Sequence, residues 1–180
     1  YDCGRAVAFF AHRRIREKPP SGGVSVLSES VKVDPVMLDF TRRLLDTVRW
    51  HGVAMVEFRV TPEGKAYLME INTRFWGSLQ LAVDSGVDFP WMLYRLGCGE
   101  RVEPPEGYLI GNRLRWLLGD LDSLYLYLRD PRKGLVDKLR AVLAFALPPH
   151  PMTRHEVFRW SDPRPGLFEF RRYLRQLFGS

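Results

Sequence analysis

The chain has 180 residues, 46% apolar and 27% charged, which suits one soluble globular domain or one large lobe of a larger fold. No apolar run approaches the ~20 residues that span a bilayer. Residues 1–5 lack the layout of a secretory leader, and two isolated cysteines make no disulfide framework, so a reducing cytoplasm is the expected compartment. The net charge of +6 is uneven: residues 1–100 hold 13 basic and 12 acidic side chains, residues 101–180 hold 14 and 9. A basic tail favours nucleic acid or phosphate-bearing ligands. No nucleic-acid-binding motif accompanies it, and a solvated arginine-rich surface explains it more simply.

In chain order, Gly4-Arg5 forms a turn and residues 6–14 a strand. A turn leading into a strand so early implies a partner strand upstream, so a segment before Tyr1 is expected. Residues 16–23 crowd proline and glycine into a shaped loop, and residues 24–33 read as extended. Asp34-Pro35 starts a helix, with Asp as N-cap and Pro at the first position, and Gly52 closes it. Residues 53–60 and 65–72 form two strands around the turn Thr61-Pro62-Glu63-Gly64. Residues 78–85 are helical and stop at Gly86. Asp88-Phe89-Pro90 restarts a helix that runs to about Leu96. Pro104-Pro105 marks the one internal boundary. Beyond it come a strand over 108–117, amphipathic helices over 121–129, 135–146 and 167–178, and a short strand over 155–160.

The hairpin holds the chemistry. Side chains alternate along a strand, so Met55, Glu57 and Arg59 share one face, and Leu68, Glu70, Asn72 and then Arg74 share one on the second strand. A turn centred on Pro62-Glu63 sets Val60 opposite Lys65 and Glu57 opposite Leu68. That register gathers Glu57, Glu70 and Asn72 on one surface and turns Tyr67, Met69 and Ile71 toward a core. Two carboxylates and an amide oxygen suit Mg²⁺ or Mn²⁺, with phosphate oxygens and water completing the shell. A guanidinium at Arg74 can hold a phosphate or carboxylate. Gly77-Ser78 opens a helix whose first amides favour an anion. An ordinary solvent-facing strand surface explains the same residues, and paired carboxylates also serve glycosidases, although Asn72 and Arg74 fit that chemistry less well.

The run Val56-Glu57-Phe58, a turn, then Met69-Glu70-Ile71-Asn72-Thr73-Arg74 resembles the carboxy-terminal lobe of the ATP-grasp superfamily, with its Glu on one strand and Glu-x-Asn-x-Arg on the next. Related segments occur in biotin carboxylase and carbamoyl-phosphate synthetase. The paired arginines of His12-Arg13-Arg14-Ile15-Arg16 before it, and Gly86-Val87-Asp88 after it, fit the same order. The resemblance covers residues 6–97. It implies an α+β fold: a mainly antiparallel sheet flanked by helices over residues 1–103, and a mostly helical extension over 104–180.

The resemblance also implies roles. Glu57, Glu70 and Asn72 hold Mg²⁺ (or Mn²⁺) between ATP phosphates, and Arg74 steadies an acylphosphate or its carboxylate precursor. Leu68 touches adenine, while Arg14 and Arg16 lie near phosphate or substrate, Arg13 beside them. Ser21-Gly22-Gly23 offers backbone amides to substrate. The implied activity is a carboxylate–amine (or thiol) ligase, whose partners are a carboxylate substrate, an amine or other nucleophile, and the amino-terminal ATP-grasp lobes. Those lobes supply phosphate-binding lysines and the adenine hinge, whereas the five lysines here, Lys18, Lys32, Lys65, Lys133 and Lys138, stand in other contexts. By itself the chain is therefore expected to bind nucleotide weakly and not turn over. A non-catalytic module or fragment that kept the fold is the alternative. In residues 104–180, a basic strand around Arg113 and Arg115 reads as packing, and His150 and His155 lack metal-ligand spacing.

Overall fold

The computed structural model describes residues 1–147 and 150–178. In order, its elements are β1 (Ala11–Lys18), β2 (Val24–Val31), α1 (Pro35–Thr47), β3 (Met55–Val60), β4 (Ala66–Asn72), α2 (Leu79–Asp84), α3 (Phe89–Gly97), β5 (Arg113–Arg115), α4 (Leu117–Arg129), α5 (Leu135–Ala146), β6 (Thr153–His155) and α6 (Arg164–Phe178). The class is α+β, as expected. One sheet has the order β1-β2-β5-β6, and β3 and β4 form a separate two-stranded ribbon. β2 pairs with β5 and β3 with β4 antiparallel, while β5 and β6 run parallel.

The chain divides into two compact units, one of Tyr1–His12 and Ser30–Ile110, the other of Arg13–Glu29 and Gly111–Ser180. The crossing after Ile110 lies a few residues past Pro104-Pro105. The excursion of Arg13–Glu29 into the second unit has no counterpart in the sequence reading.

In the first unit, Leu45, Leu81, Ala82 and Val87 form the buried apolar centre. Asp34 caps α1 as expected, its carboxylate accepting from the amides of Val36 and Met37 at 2.9 and 3.0 Å. The helix stops at Thr47, well before Gly52. Arg49 adopts φ 48°, and the chain closes with Arg49 N–H donating to the Asp46 carbonyl and Trp50 N–H to that of Leu45, both at 2.9 Å. This double closure normally uses glycine at the left-handed position. α2 and α3 end the same way, with Gly86 at φ 102° and Gly99 at φ 74°. Gly86-Val87-Asp88 therefore has a local explanation. Gly86 turns the chain, Val87 is fully buried, and Asp88 caps α3 by accepting from Trp91 N–H at 2.9 Å.

In the second unit, Val26, Leu27, Leu114 and Leu118 are buried between β2, β5 and α4. The first strand differs from expectation: the apolar run 6–10 is irregular, and the polar run AHRRIREK forms β1. β5 is three residues long where a strand over 108–117 was expected, because Gly111, at φ 85°, bends the chain just before it. α4 starts earlier, at Leu117, and α6 at Arg164. The last short strand is Thr153–His155 and not 155–160.

Candidate metal- and phosphate-binding site

The β3–β4 ribbon places Glu57 directly opposite Glu70 and Met55 opposite Asn72. Cross-strand partners share a face, so Glu57, Glu70 and Asn72 come together as expected. The register that achieves this differs in two steps from the one read from the sequence. The loop is one residue longer, with Thr61 N–H donating to the Lys65 carbonyl at 2.9 Å and Gly64 at φ 83°, the geometry of a three-residue hairpin loop. Val60 thus lies opposite Ala66, not Lys65. The pairing then shifts again between Glu57 and Phe58, where Met69 is the extra residue of a β-bulge. Each shift by itself would turn Glu57 away from Glu70, and the two together restore the shared face.

The bulge also moves Leu68. It pairs with Phe58, on the face opposite Glu57 and Glu70, which corrects its expected place on the site face. The apolar residues meant for a core are open as well: Tyr67 and Met69 are each 56% exposed and Ile71 is 37% exposed. A two-stranded ribbon has no covering layer of its own.

Glu57 and Asn72 are half-buried and Glu70 is exposed. Glu57 and Glu70 face each other directly across the ladder. With the Asn72 amide oxygen beside them they form an all-oxygen set that fits a hard divalent ion. Arg74 lies past the end of β4, where its Nη1 donates to the Phe75 carbonyl at 2.9 Å. Ser78 precedes the six-residue α2, and its hydroxyl is 2.9 Å from His12 Nε2. Elsewhere in this unit His51 Nδ1 lies 3.4 Å from Asp2 Oδ1 and 3.7 Å from Cys3 Sγ, an exposed polar cluster that shares no residue with the ribbon.

Arg13, Arg14 and Arg16 belong to the second unit. Arg13 and Arg113 both hold Glu29, at 2.5 and 2.7 Å. Burial alone would raise the Glu29 carboxyl, but the bonds from Arg113 and Arg13 outweigh it and bring the group below its ordinary value. Arg14 donates to Glu17 and to the Gly23 carbonyl, so Gly23 accepts from the protein itself. Arg16 grips Asp120 with both Nε and Nη2 at 2.6 Å, and Arg115 donates to the same carboxylate at 2.6 Å. Lys18 pairs with Asp122, whose other oxygen accepts from Tyr173 at 2.5 Å. Asp120 and Asp122 escaped the sequence reading because they sit in an apolar helix far along the chain from Arg16 and Lys18.

Residues 3–115, more than half of the chain, match the family described as ATP-grasp in the biosynthetic pathway with the Ter operon. No curated protein and no solved structure matches the chain.

Proposed function

The chain belongs to this ATP-grasp family, and from that premise we propose that its β3–β4 ribbon is the metal- and phosphate-binding part of an ATP-dependent carboxylate–amine (or thiol) ligase. The observation that carries the reading is the pair Glu57–Glu70, two carboxylates at directly facing positions with Asn72 on the same face. Two carboxylates and an amide oxygen on one face make a hard oxygen set that a divalent ion can share.

When bound, ATP·Mg²⁺ supplies the γ-phosphoryl group that activates a substrate carboxylate as an acylphosphate, which an amine or thiol then displaces with release of phosphate. Glu57 and Glu70 would hold the metal by their carboxylate oxygens and Asn72 by its amide oxygen. Their fixed positions on a paired ladder would orient the phosphates with little reorganisation at the moment of transfer. Arg74, released from the Phe75 carbonyl, would offer a guanidinium fork to a phosphate or carboxylate.

One observation favours a second reading, a binding module without turnover: Arg74 is engaged with its own backbone. The experiment that separates the two is ADP release by the chain together with the amino-terminal lobes that the ligase reading requires, with ATP and Mg²⁺ over a panel of carboxylates and amines. Carboxylate-dependent ADP release is expected, and Glu70→Gln should lower it by about a hundredfold or more. Unchanged release in Glu70→Gln would sink the ligase reading, and ATP·Mg²⁺ binding without release for any substrate pair would favour the module.

A further inference from the structure

Away from the ribbon, three metal-ligating side chains of different kinds meet within the first unit. The Asp2 carboxylate, the Cys3 thiol and the His51 imidazole each place a donor atom so that all three atoms lie within 4.8 Å of one another. The three residues are exposed, so an ion from solvent reaches them directly. Cys3 and His51 are 48 residues apart in the chain, and the cluster stands independently of the ATP-site reading. Backbone bonds hold its two segments together. Asp2 N–H donates to the Arg5 carbonyl at 2.8 Å and Arg5 N–H to that of Asp2 at 2.9 Å, which closes a tight turn. Gly4 N–H donates to the Trp50 carbonyl at 2.8 Å and Gly52 N–H to that of Tyr1 at 2.9 Å, so the turn is pinned on both sides of His51. Donors already gathered by the backbone cost little further ordering when a ligand arrives.

The spacing of the donors matches a tetrahedral ion. His51 Nδ1 is 3.4 Å from Asp2 Oδ1 and 3.7 Å from Cys3 Sγ. Around zinc with its ordinary bond lengths, the corresponding edges of the tetrahedron are about 3.3 Å for N···O and about 3.6 Å for N···S. The same Nδ1 accepts from the Cys3 amide at 3.3 Å. It therefore turns a lone pair, not a proton, toward the Asp2–Cys3 segment, and a metal takes that lone pair over from a long hydrogen bond. The donor types select among cations. Thiolate and imidazole suit zinc, whereas Mg²⁺ takes oxygen ligands. One carboxylate and one thiolate also cancel the two charges of the ion.

We propose that Asp2, Cys3 and His51 bind a zinc ion through a carboxylate oxygen, the thiolate sulfur and Nδ1, with water in the fourth position. The thiol proton passes to solvent as the ion binds. The ion ties the amino-terminal turn to the segment that follows α1, and it is separate from the divalent ion proposed for Glu57, Glu70 and Asn72.

The test is spectrophotometric titration of the full reduced chain with Co²⁺ alone, without nucleotide, followed by addition of Zn²⁺. A thiolate-to-cobalt charge-transfer band in the near ultraviolet is expected, saturating at one ion per chain and erased by Zn²⁺. Only a cysteine ligand gives this band, so the oxygen donors of the ribbon do not contribute to it. The two cysteines of the chain, Cys3 and Cys98, are both free. Cys3→Ser should abolish the band and Cys98→Ser should leave it whole. His51→Gln should weaken Co²⁺ binding about a hundredfold or more, and Asp2→Asn about tenfold or more. If Cys3→Ser melts early, alkylation of Cys3 in the folded Cys98→Ser chain takes its place. The proposal is overturned if no band forms, if the band survives loss of the Cys3 thiol, or if it depends on Cys98. Affinity for Co²⁺ unchanged in His51→Gln or in Asp2→Asn overturns it too.

Discussion

At Glu156, burial first, and then the neighbouring Glu169 carboxylate, push the carboxyl up to about 7, with Arg159 opposing. The folded state therefore keeps this proton to a higher pH than the unfolded chain, whose group titrates near 4.5. Its contribution to stability is full below that value and is lost as pH rises toward 7. Glu156→Gln fixes the neutral form. It should melt higher than the parent at pH 8 and level with it near pH 4. A variant that melts lower at pH 8 would contradict this assignment. Glu29 slopes the other way, since its bonds with Arg113 and Arg13 favour the ionised form and are lost on acidification. Asp120 is 1% exposed, deeper than Glu29, and two guanidinium groups rest on it. Asp120→Asn leaves them without a counter-charge and should destabilise by about 3–5 kcal/mol in urea unfolding. Asp130→Asn weakens a surface pair with Arg132 while its amide oxygen can still accept from the Arg132 N–H, and it should leave the transition in place.

Among the elements, the helix ends are the clearest case of local rules at work. Gly86 and Gly99 occupy left-handed closing positions after α2 and α3, and Arg49 does so after α1. A non-glycine residue there carries a steric cost of about 1–2 kcal/mol, partly offset by the greater entropy glycine loses on folding. Arg49→Gly should therefore stabilise by about 0.5–1 kcal/mol, read as a higher urea midpoint with an unchanged slope. The α1 start was legible because Asp34-Pro35 is a local signal, and α5 was legible to its bounds. The end of α1 was misread because Arg49 stands where glycine marks such closures. β1 was misplaced for a different reason. An apolar run such as Ala6–Phe10 looks like a strand, whereas the polar Ala11–Lys18 forms one beside β2, with Arg16 and Lys18 meeting Asp120 and Asp122, which no local window contains. The carboxylate face was legible in its membership but not in its register, since parity sees neither a longer loop nor a bulge. Leu68 shows the consequence: it was assigned to the wrong face by a rule that holds for every strand without a bulge.

For the molecule as a whole, the excursion of Arg13–Glu29 matters most. β2 completes its pairing only with β5, from the far side of Pro104-Pro105. A chain cut to residues 1–103 loses the strand opposite Leu27 and Ser28 and the helix that carries Asp120, leaving Arg16 without its carboxylate. Such a fragment should show no cooperative thermal transition, and one that melts cooperatively would show that the first unit folds without the second. No helix among the described residues is long and apolar enough to cross a membrane, and the charge excess lies in the later part of the chain.

The bulge at Met69 bears on how such chains change over generations. The residue faces solvent for more than half its surface and pairs with nothing across the ladder. A descendant that lost it would keep Phe58 against Leu68 and Glu57 against Glu70, with the two carboxylates one residue closer along the chain. Selection on the carboxylate pair is therefore blind to a single insertion or deletion at this point. The count of residues between the two glutamates is free to drift while their opposition is preserved.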